Sequence, residues 1–187
     1  MHITSGRLKG KKLANCKSRS IRPAMALVRK SIFDTIGNLI EEAYVLDLCA
    51  GSGSLGIEAL SRGAKSLTLV DSTKEAIRLI KKNLELCNLK ANVIFGRLPR
   101  ILGKKSLFEE GKSKFDLIFL DPPYGNSEFI EKVLEVIIKK KLLSTEGIIL
   151  IETEDKADYS IPEELNVYKI KRFGNTKVTY LKYVIGL

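Results

Sequence analysis

Asp121-Pro122-Pro123-Tyr124 follows directly on the apolar segment Phe115–Leu120, so a carboxylate, a double-proline turn and an aromatic ring share one strand end. The prolines fix their own φ angles and stiffen that turn. Such a set suits a planar amine. The lone pair of an exocyclic nucleobase nitrogen is delocalised into the ring, which makes the nitrogen a poor nucleophile. The Asp121 carboxylate and the Pro122 carbonyl, each accepting from one of its N–H bonds, would favour a tetrahedral nitrogen. Tyr124 can stack on the base, a contact worth about 1–3 kcal/mol. About seventy residues upstream, a second apolar run ends in Asp47-Leu-Cys-Ala-Gly-Ser-Gly-Ser-Leu-Gly56. Its Gly51, Gly53 and Gly56 let a backbone turn tightly and approach a nucleotide closely, with Ala50 and Ser52 in the same loop. Asp71 lies twenty residues after Gly51 at the end of the next apolar run. A carboxylate there can accept from both hydroxyls of a ribose. Its competing role is to cap the following helix, with Ser72 and Thr73 as rivals.

These residues must be positioned by strands that alternate with helices. Residues 1–21, punctuated by Gly6 and Gly10, read as a basic hairpin or extended arm. So polar an arm is expected to contribute little to the core. A helix begins just after Pro23, with Val28, Ile32, Ile36 and Leu39/Ile40 at helical spacing. The spacing then predicts a strand over Ala43–Leu48, a helix over Leu55–Ser61, a strand over Ser66–Val70 and an amphipathic helix over Thr73–Leu86. Strands follow over Asn92–Phe95 and Phe115–Leu120, a helix over Glu128–Lys140 and a strand over Ile148–Glu152. Val167–Arg172 and Lys177–Val184 form a hairpin around Gly174-Asn175, and Lys104–Lys114 is a loop. Alternation of this kind builds an α/β fold with a doubly wound, mostly parallel sheet. The terminal hairpin adds an antiparallel edge. The chain therefore reads as a basic N-terminal hairpin, 1–21, and an α/β domain, 22–187. Ligands of open α/β sheets bind beyond the carboxyl ends of the strands, where Asp47, Gly51, Asp71 and Asp121 fall.

Charge adds a partner. Net charge is +10, and Met1–Phe33 holds nine basic residues and no Asp or Glu, leaving a net of only +1 for the rest of the chain. A block of one sign reads as an interaction surface for a polyanion, which it attracts through counterion release, with charge for solubility alone as the competing role. Arg7, Lys9, Lys11, Lys12, Arg19, Arg22 and Arg29 are its candidate contacts. The three cysteines, Cys16, Cys49 and Cys87, offer neither metal spacing nor a disulfide framework, which suits a reducing cytoplasm. No run approaches the roughly 20 apolar residues of a membrane helix. A dinucleotide dehydrogenase would match the glycine pattern. It is disfavoured because 187 residues leave no room for a substrate domain and the single histidine, His2, lies in the arm.

The glycine loop followed by Asp-Pro-Pro-Tyr resembles the S-adenosylmethionine-dependent methyltransferases of nucleobase amino groups, which share a Rossmann-like sheet. Within them the chain resembles the bacterial 16S ribosomal RNA guanine-N2 methyltransferases of the RsmD type. The resemblance runs through Ile3-Thr-Ser-Gly-Arg-Leu-Lys-Gly-Lys-Lys-Leu13, Arg22-Pro23, Val28-Arg29, Phe33, Asp47–Gly56, Glu58–Ala64, Asp71, Asp121–Tyr124 and Gly174-Asn-Thr176. Departures fall at Ala24, Lys30 and Gly96-Arg97. The resemblance implies a seven-stranded sheet and a basic hairpin that contacts RNA. It implies S-adenosylmethionine held by Asp47–Gly56 and Asp71, with Ser72 beside it. It also implies a guanine amino group as acceptor, in 16S rRNA of the small subunit or a late precursor. The chain is expected to act as a monomer. DNA adenine-N6 and cytosine-N4 methyltransferases also use Asp-Pro-Pro-Tyr, but they usually need added recognition mass. A non-catalytic assembly factor would have no use for an intact Asp121 and Tyr124.

Overall fold

The computed structural model describes residues 1–15, 23–104, 114–123 and 125–184. It divides into two compact units, Met1–Phe95 and the part from Gly96 onward. In the first unit, helix α1 (Pro23–Ile36) and a 3-10 turn (Gly37–Ile40) lead into strand β1 (Tyr44–Leu48). Helix α2 (Ser54–Ser61), strand β2 (Ser66–Asp71), helix α3 (Lys74–Leu86) and strand β3 (Asn92–Phe95) follow. β2 lies between β1 and β3 and is parallel to both, with Leu46 opposite Thr68 and Val70 opposite Ile94. Val45, Leu46 and Leu48 are all fully buried, as expected of a parallel strand covered on both faces. α3 is amphipathic, burying Ala76, Ile80 and Leu84, and Thr73 caps it by accepting the Ala76 N–H at 3.2 Å.

In the second unit, a 3-10 turn (Arg100–Gly103) precedes strand β4 (Phe115–Leu120) and helix α4 (Ser127–Lys139). Strands β5 (Leu143–Glu154), β6 (Leu165–Phe173) and β7 (Thr176–Tyr183) complete it. β4 and β5 are parallel, with Leu117 opposite Ile148 and Leu120 opposite Ile151. β7 runs antiparallel to both β5 and β6. The described residues thus hold seven strands in the order β3-β2-β1-β4-β5-β7-β6, the mixed α/β sheet expected from the alternation. No helix among them is long and apolar enough to cross a membrane.

β5 begins five residues before its predicted start. Ser144, Thr145, Glu146 and Gly147 interrupt its apolar pattern, and the β4–β5 register shifts across them. Ser144 Oγ donates to Asp116 Oδ1 at 2.8 Å, so the polar stretch is tied to β4 all the same. The first helix ends at Ile36, and the Leu39 and Ile40 positions of its predicted spacing fall in the 3-10 turn that follows; the turn at Arg100–Gly103 carries no periodic signal and was not anticipated. Most of the loop expected over Lys104–Lys114, and the boundary expected after residue 21, lie outside the described residues.

The N-terminal segment forms a hairpin, as its glycines suggest. Across it the Ile3 N–H donates to Lys11 O and the Gly10 N–H to Ile3 O, and Leu13 N–H returns to Met1 O at 2.9 Å. The expectation that it adds little to the core is corrected. Ile3 and Leu13 are buried, and the hairpin covers the outer side of α2. There Glu58, 0% exposed, accepts from Thr4 N, Thr4 Oγ1 and Ser5 N at 2.7 to 3.0 Å, and pairs with Arg62 at 2.9 Å. Arg7 N donates to Ser61 O and Leu8 N to Ser61 Oγ. Gly6 has φ +77°, and a Cβ there would stand 1.9 Å from Ser61 O, so only glycine permits this docking.

Candidate active site

The glycine loop of the first unit is built by two aspartates at consecutive strand ends. Asp47 is 1% exposed, and its Oδ2 accepts the Gly56 N–H at 2.9 Å. That bond pins the first turn of α2 to the end of β1. A Cβ on Gly56 would come within 2.6 Å of Leu67 and 3.0 Å of Asp47 Oδ2, so glycine is required for this packing. Gly53 N–H closes the turn on Ala50 O at 2.7 Å, and Ala50 N–H bonds Val70 O. Gly53 is buried against Leu69 and Ile80, whereas beyond Gly51 (φ +56°) a Cβ would meet only its own loop, at 3.9 Å. Gly51 is therefore the glycine with free space above it. Gly53 and Gly56 serve the fold.

Asp71 is half-buried. Its Oδ2 accepts the Gly51 N–H at 3.0 Å, and its Oδ1 accepts from Thr73 N at 2.9 Å and Thr73 Oγ1 at 3.1 Å. An ionised carboxylate has about four lone-pair sites, so acceptor capacity remains for a further donor. Thr73, not Asp71 or Ser72, is the helix cap. Ser72 is exposed, and Ala50 and Ser52 are half-buried in the loop. Asn83 is a residue that sequence reasoning missed. It is fully buried on α3, donating to Ser52 O at 2.9 Å and Ala14 O at 3.1 Å and accepting from Ala14 N at 2.7 Å. It thereby holds the glycine loop and the segment leaving the hairpin together. Its signal was an asparagine between Ile80 and Leu84 on an otherwise apolar stripe.

In the second unit, Asp121 is half-buried immediately after β4, Pro122 is buried and Pro123 is exposed. Tyr124 lies outside the described residues. The turn is braced from β5, where Glu154 Oε1 accepts the Gly125 N–H at 2.8 Å. Two residues earlier on β5, Glu152 is pushed up to about 8, first by burial and then by the charge of Asp121. Neither glutamate was anticipated, because the strand was expected to end at Glu152 and a terminal glutamate carries no signal of its own.

Arg7, Lys9, Lys11 and Lys12 are exposed on the hairpin, while Arg19 and Arg22 lie outside the described residues. Arg29 is corrected. It is 5% exposed, its Nη2 donates to His2 O at 2.6 Å, and its Nε stands 3.4 Å from Glu58. An arginine so enclosed is a partner for the hairpin and α2, not for a phosphate backbone. Lys30, a departure from the resemblance, pairs with Asp34 at 2.7 Å on the exposed side of α1.

Comparison with known proteins is consistent across the chain. Residues 1–182 match the family described as conserved hypothetical protein 95. The ribosomal RNA small subunit methyltransferase D of Buchnera aphidicola is 33% identical over 97% of this chain and 92% of its own. That of Haemophilus influenzae is 31% identical over 93% and 89%. A solved Escherichia coli structure, yhhF, superposes with a TM-score of 0.85 at 26% identity, covering 98% of both chains.

Proposed function

Because this chain belongs to the RsmD family of ribosomal RNA methyltransferases, we propose that it transfers a methyl group from S-adenosylmethionine to the exocyclic N2 of one guanine in 16S rRNA. Its substrate in this reading is the small subunit or a late precursor, met in the cytoplasm by a monomer. The observation that carries the reading is Asp121, a carboxylate set at a strand end on a proline turn whose far side is fixed by Glu154. Asp121 accepts from one N–H of the acceptor amine and the Pro122 carbonyl from the other, which draws the nitrogen toward tetrahedral geometry. Tyr124 stacks on the base. As the nitrogen gains its new bond it loses one N–H proton, and the Asp121 carboxylate is the group placed to take it.

The donor set of the first unit fits the proposed cofactor. Free space above Gly51 admits a ligand close to the backbone, and Asp71 keeps acceptor capacity beside it for ribose hydroxyls. Asp47 acts on that site through Gly56 by shaping the loop. S-adenosylmethionine, when bound, supplies an electrophilic methyl group on a sulfonium. The exposed hairpin cations Arg7, Lys9, Lys11 and Lys12 supply attraction for the RNA backbone, with Arg19 and Arg22 proposed beside them.

The test is to incubate the protein with labelled S-adenosylmethionine and, separately, small subunits, naked 16S rRNA and duplex DNA. The products are digested to nucleosides. Label in N2-methylguanosine from an RNA substrate is the expected result. Label in a DNA adenine or cytosine, or no label at all, would overturn the reading.

A further inference from the structure

The carboxyl end of β5 places two glutamates on one face of the strand, and both reach the Asp121–Gly125 segment. Glu154 accepts the Gly125 N–H at 2.8 Å, beyond the far end of that turn. Glu152 lies at its near end. Leu117, Ile118, Phe119 and Leu120 pair in unbroken register with Ile148, Ile149, Leu150 and Ile151. The same register, continued by one residue, sets Asp121 beside Glu152 with both side chains on one face of the ladder. Two carboxylates so close cannot both remain ionised at low cost, and one proton between them removes the repulsion.

We propose that Glu152 is the positioning residue of Asp121: it holds the proton of the pair, so that Asp121 stays the ionised member that meets the acceptor amine. This rests on the function proposed above. Among the described residues, Asp121 is the charge that acts on Glu152. On β7 the residue opposite Glu152 is Val178, and the neighbouring Lys177 donates its ammonium to Ala157 O at 2.6 Å. On β5 itself Glu154 is engaged with Gly125. The buried residues of α4 are apolar: Ile130, Val133, Leu134 and Ile137. Burial and the Asp121 charge both raise Glu152, to about 8, so the proton is retained at neutral pH. Above that range a second negative charge appears next to Asp121 and disturbs its hold on the amine.

The pair is tested on the free protein. With glutamate side-chain carboxyls labelled with carbon-13, one resonance should titrate near 8 in the wild type. It should be missing in Glu152→Gln and move to lower pH in Asp121→Asn, which removes the neighbouring charge. On RNA substrate, Glu152→Gln should keep kcat near wild type at pH 7 and lose the fall in kcat above about 8. Glu152→Ala should lose on the order of 10- to 100-fold, the scale of a misplaced reacting group. No glutamate titrating above about 6, a titration unmoved by Asp121→Asn, or a Glu152→Gln pH profile identical to wild type would each overturn the proposal. A wrong acceptor leaves the carboxyl titration intact, and a failed titration leaves the methylated nucleoside intact, so the two failures are distinguishable.

Discussion

Asp121 and Asp71 are both strand-end aspartates, and what separates their roles is what each touches. Asp71 is spent partly on its own loop, through Gly51 and Thr73. Asp121 stands on a proline turn, and its charge helps to push the Glu152 carboxyl up to about 8. Asp121→Ala should therefore cut turnover by roughly 10²–10³, by analogy with losing one preorganised partner at a reacting atom. Cofactor affinity should stay near wild type. Calorimetry with S-adenosylmethionine beside a turnover assay checks both halves, and full turnover in the variant would remove Asp121 from the chemistry. Asp71→Ala should act in the opposite order. Losing a hydrogen bond to a charged group costs about 1.5–3 kcal/mol, so cofactor binding weakens first and saturating cofactor restores part of the rate. Unchanged affinity would confine Asp71 to holding Gly51 and Thr73.

At the scale of elements, the hairpin has two separable parts. Its backbone and its apolar residues Ile3 and Leu13 belong to the packing around α2, where Glu58 and Ser61 receive it. Its cations at Arg7, Lys9, Lys11 and Lys12 face solvent. Neutralising those four together should weaken binding to small subunits and flatten the plot of log K against log salt. Each lost phosphate contact removes roughly 0.7–0.9 from the slope. Thermal stability should barely change, because none of the four side chains is buried. Binding measured at several salt concentrations, with Tm recorded for the same variant, decides it. An unaltered slope would leave these charges without an RNA role. The backbone is a different matter, since removing residues 1–13 would strip the Glu58 carboxylate of three donors while it remains enclosed with Arg29 and Arg62.

For the whole molecule, Glu152 links protonation to folding. Its carboxyl is raised from 4.5 to about 8 in the fold. Its contribution to stability is complete below about 4.5, where folded and unfolded chains both hold the proton. As pH rises through the window up to about 8, the unfolded chain releases a proton that the fold retains. Stability from this group therefore falls across that window, by at most about 1.4 kcal/mol per pH unit. Denaturant midpoints measured from pH 5 to 8 should decline in the wild type, and the decline should be shallower in Glu152→Gln. Parallel curves would mean that Glu152 titrates alike in the folded and unfolded chains.

Local pattern alone determined the order of strands and helices along the chain, the carboxyl ends of β1, β2 and β4 near Asp47, Asp71 and Asp121, and the hairpin at Gly174-Asn175. Each is written in residues adjacent in the chain: apolar runs of strand length, helical spacing such as Ile77, Ile80 and Leu84, and glycines at turns. Tertiary structure decided the rest, because it depends on what distant segments bring to one place. Arg29 looks like any other cation of the basic block until Glu58 and His2 enclose it. Asn83 is one polar residue on a helix until Ser52 and Ala14 converge on its amide. Glu152 is an ordinary strand residue until the β4–β5 register sets it beside Asp121. Burial, pairing and the energy of a charge are properties of surroundings, and for these three residues the surroundings lie twenty or more positions away along the chain.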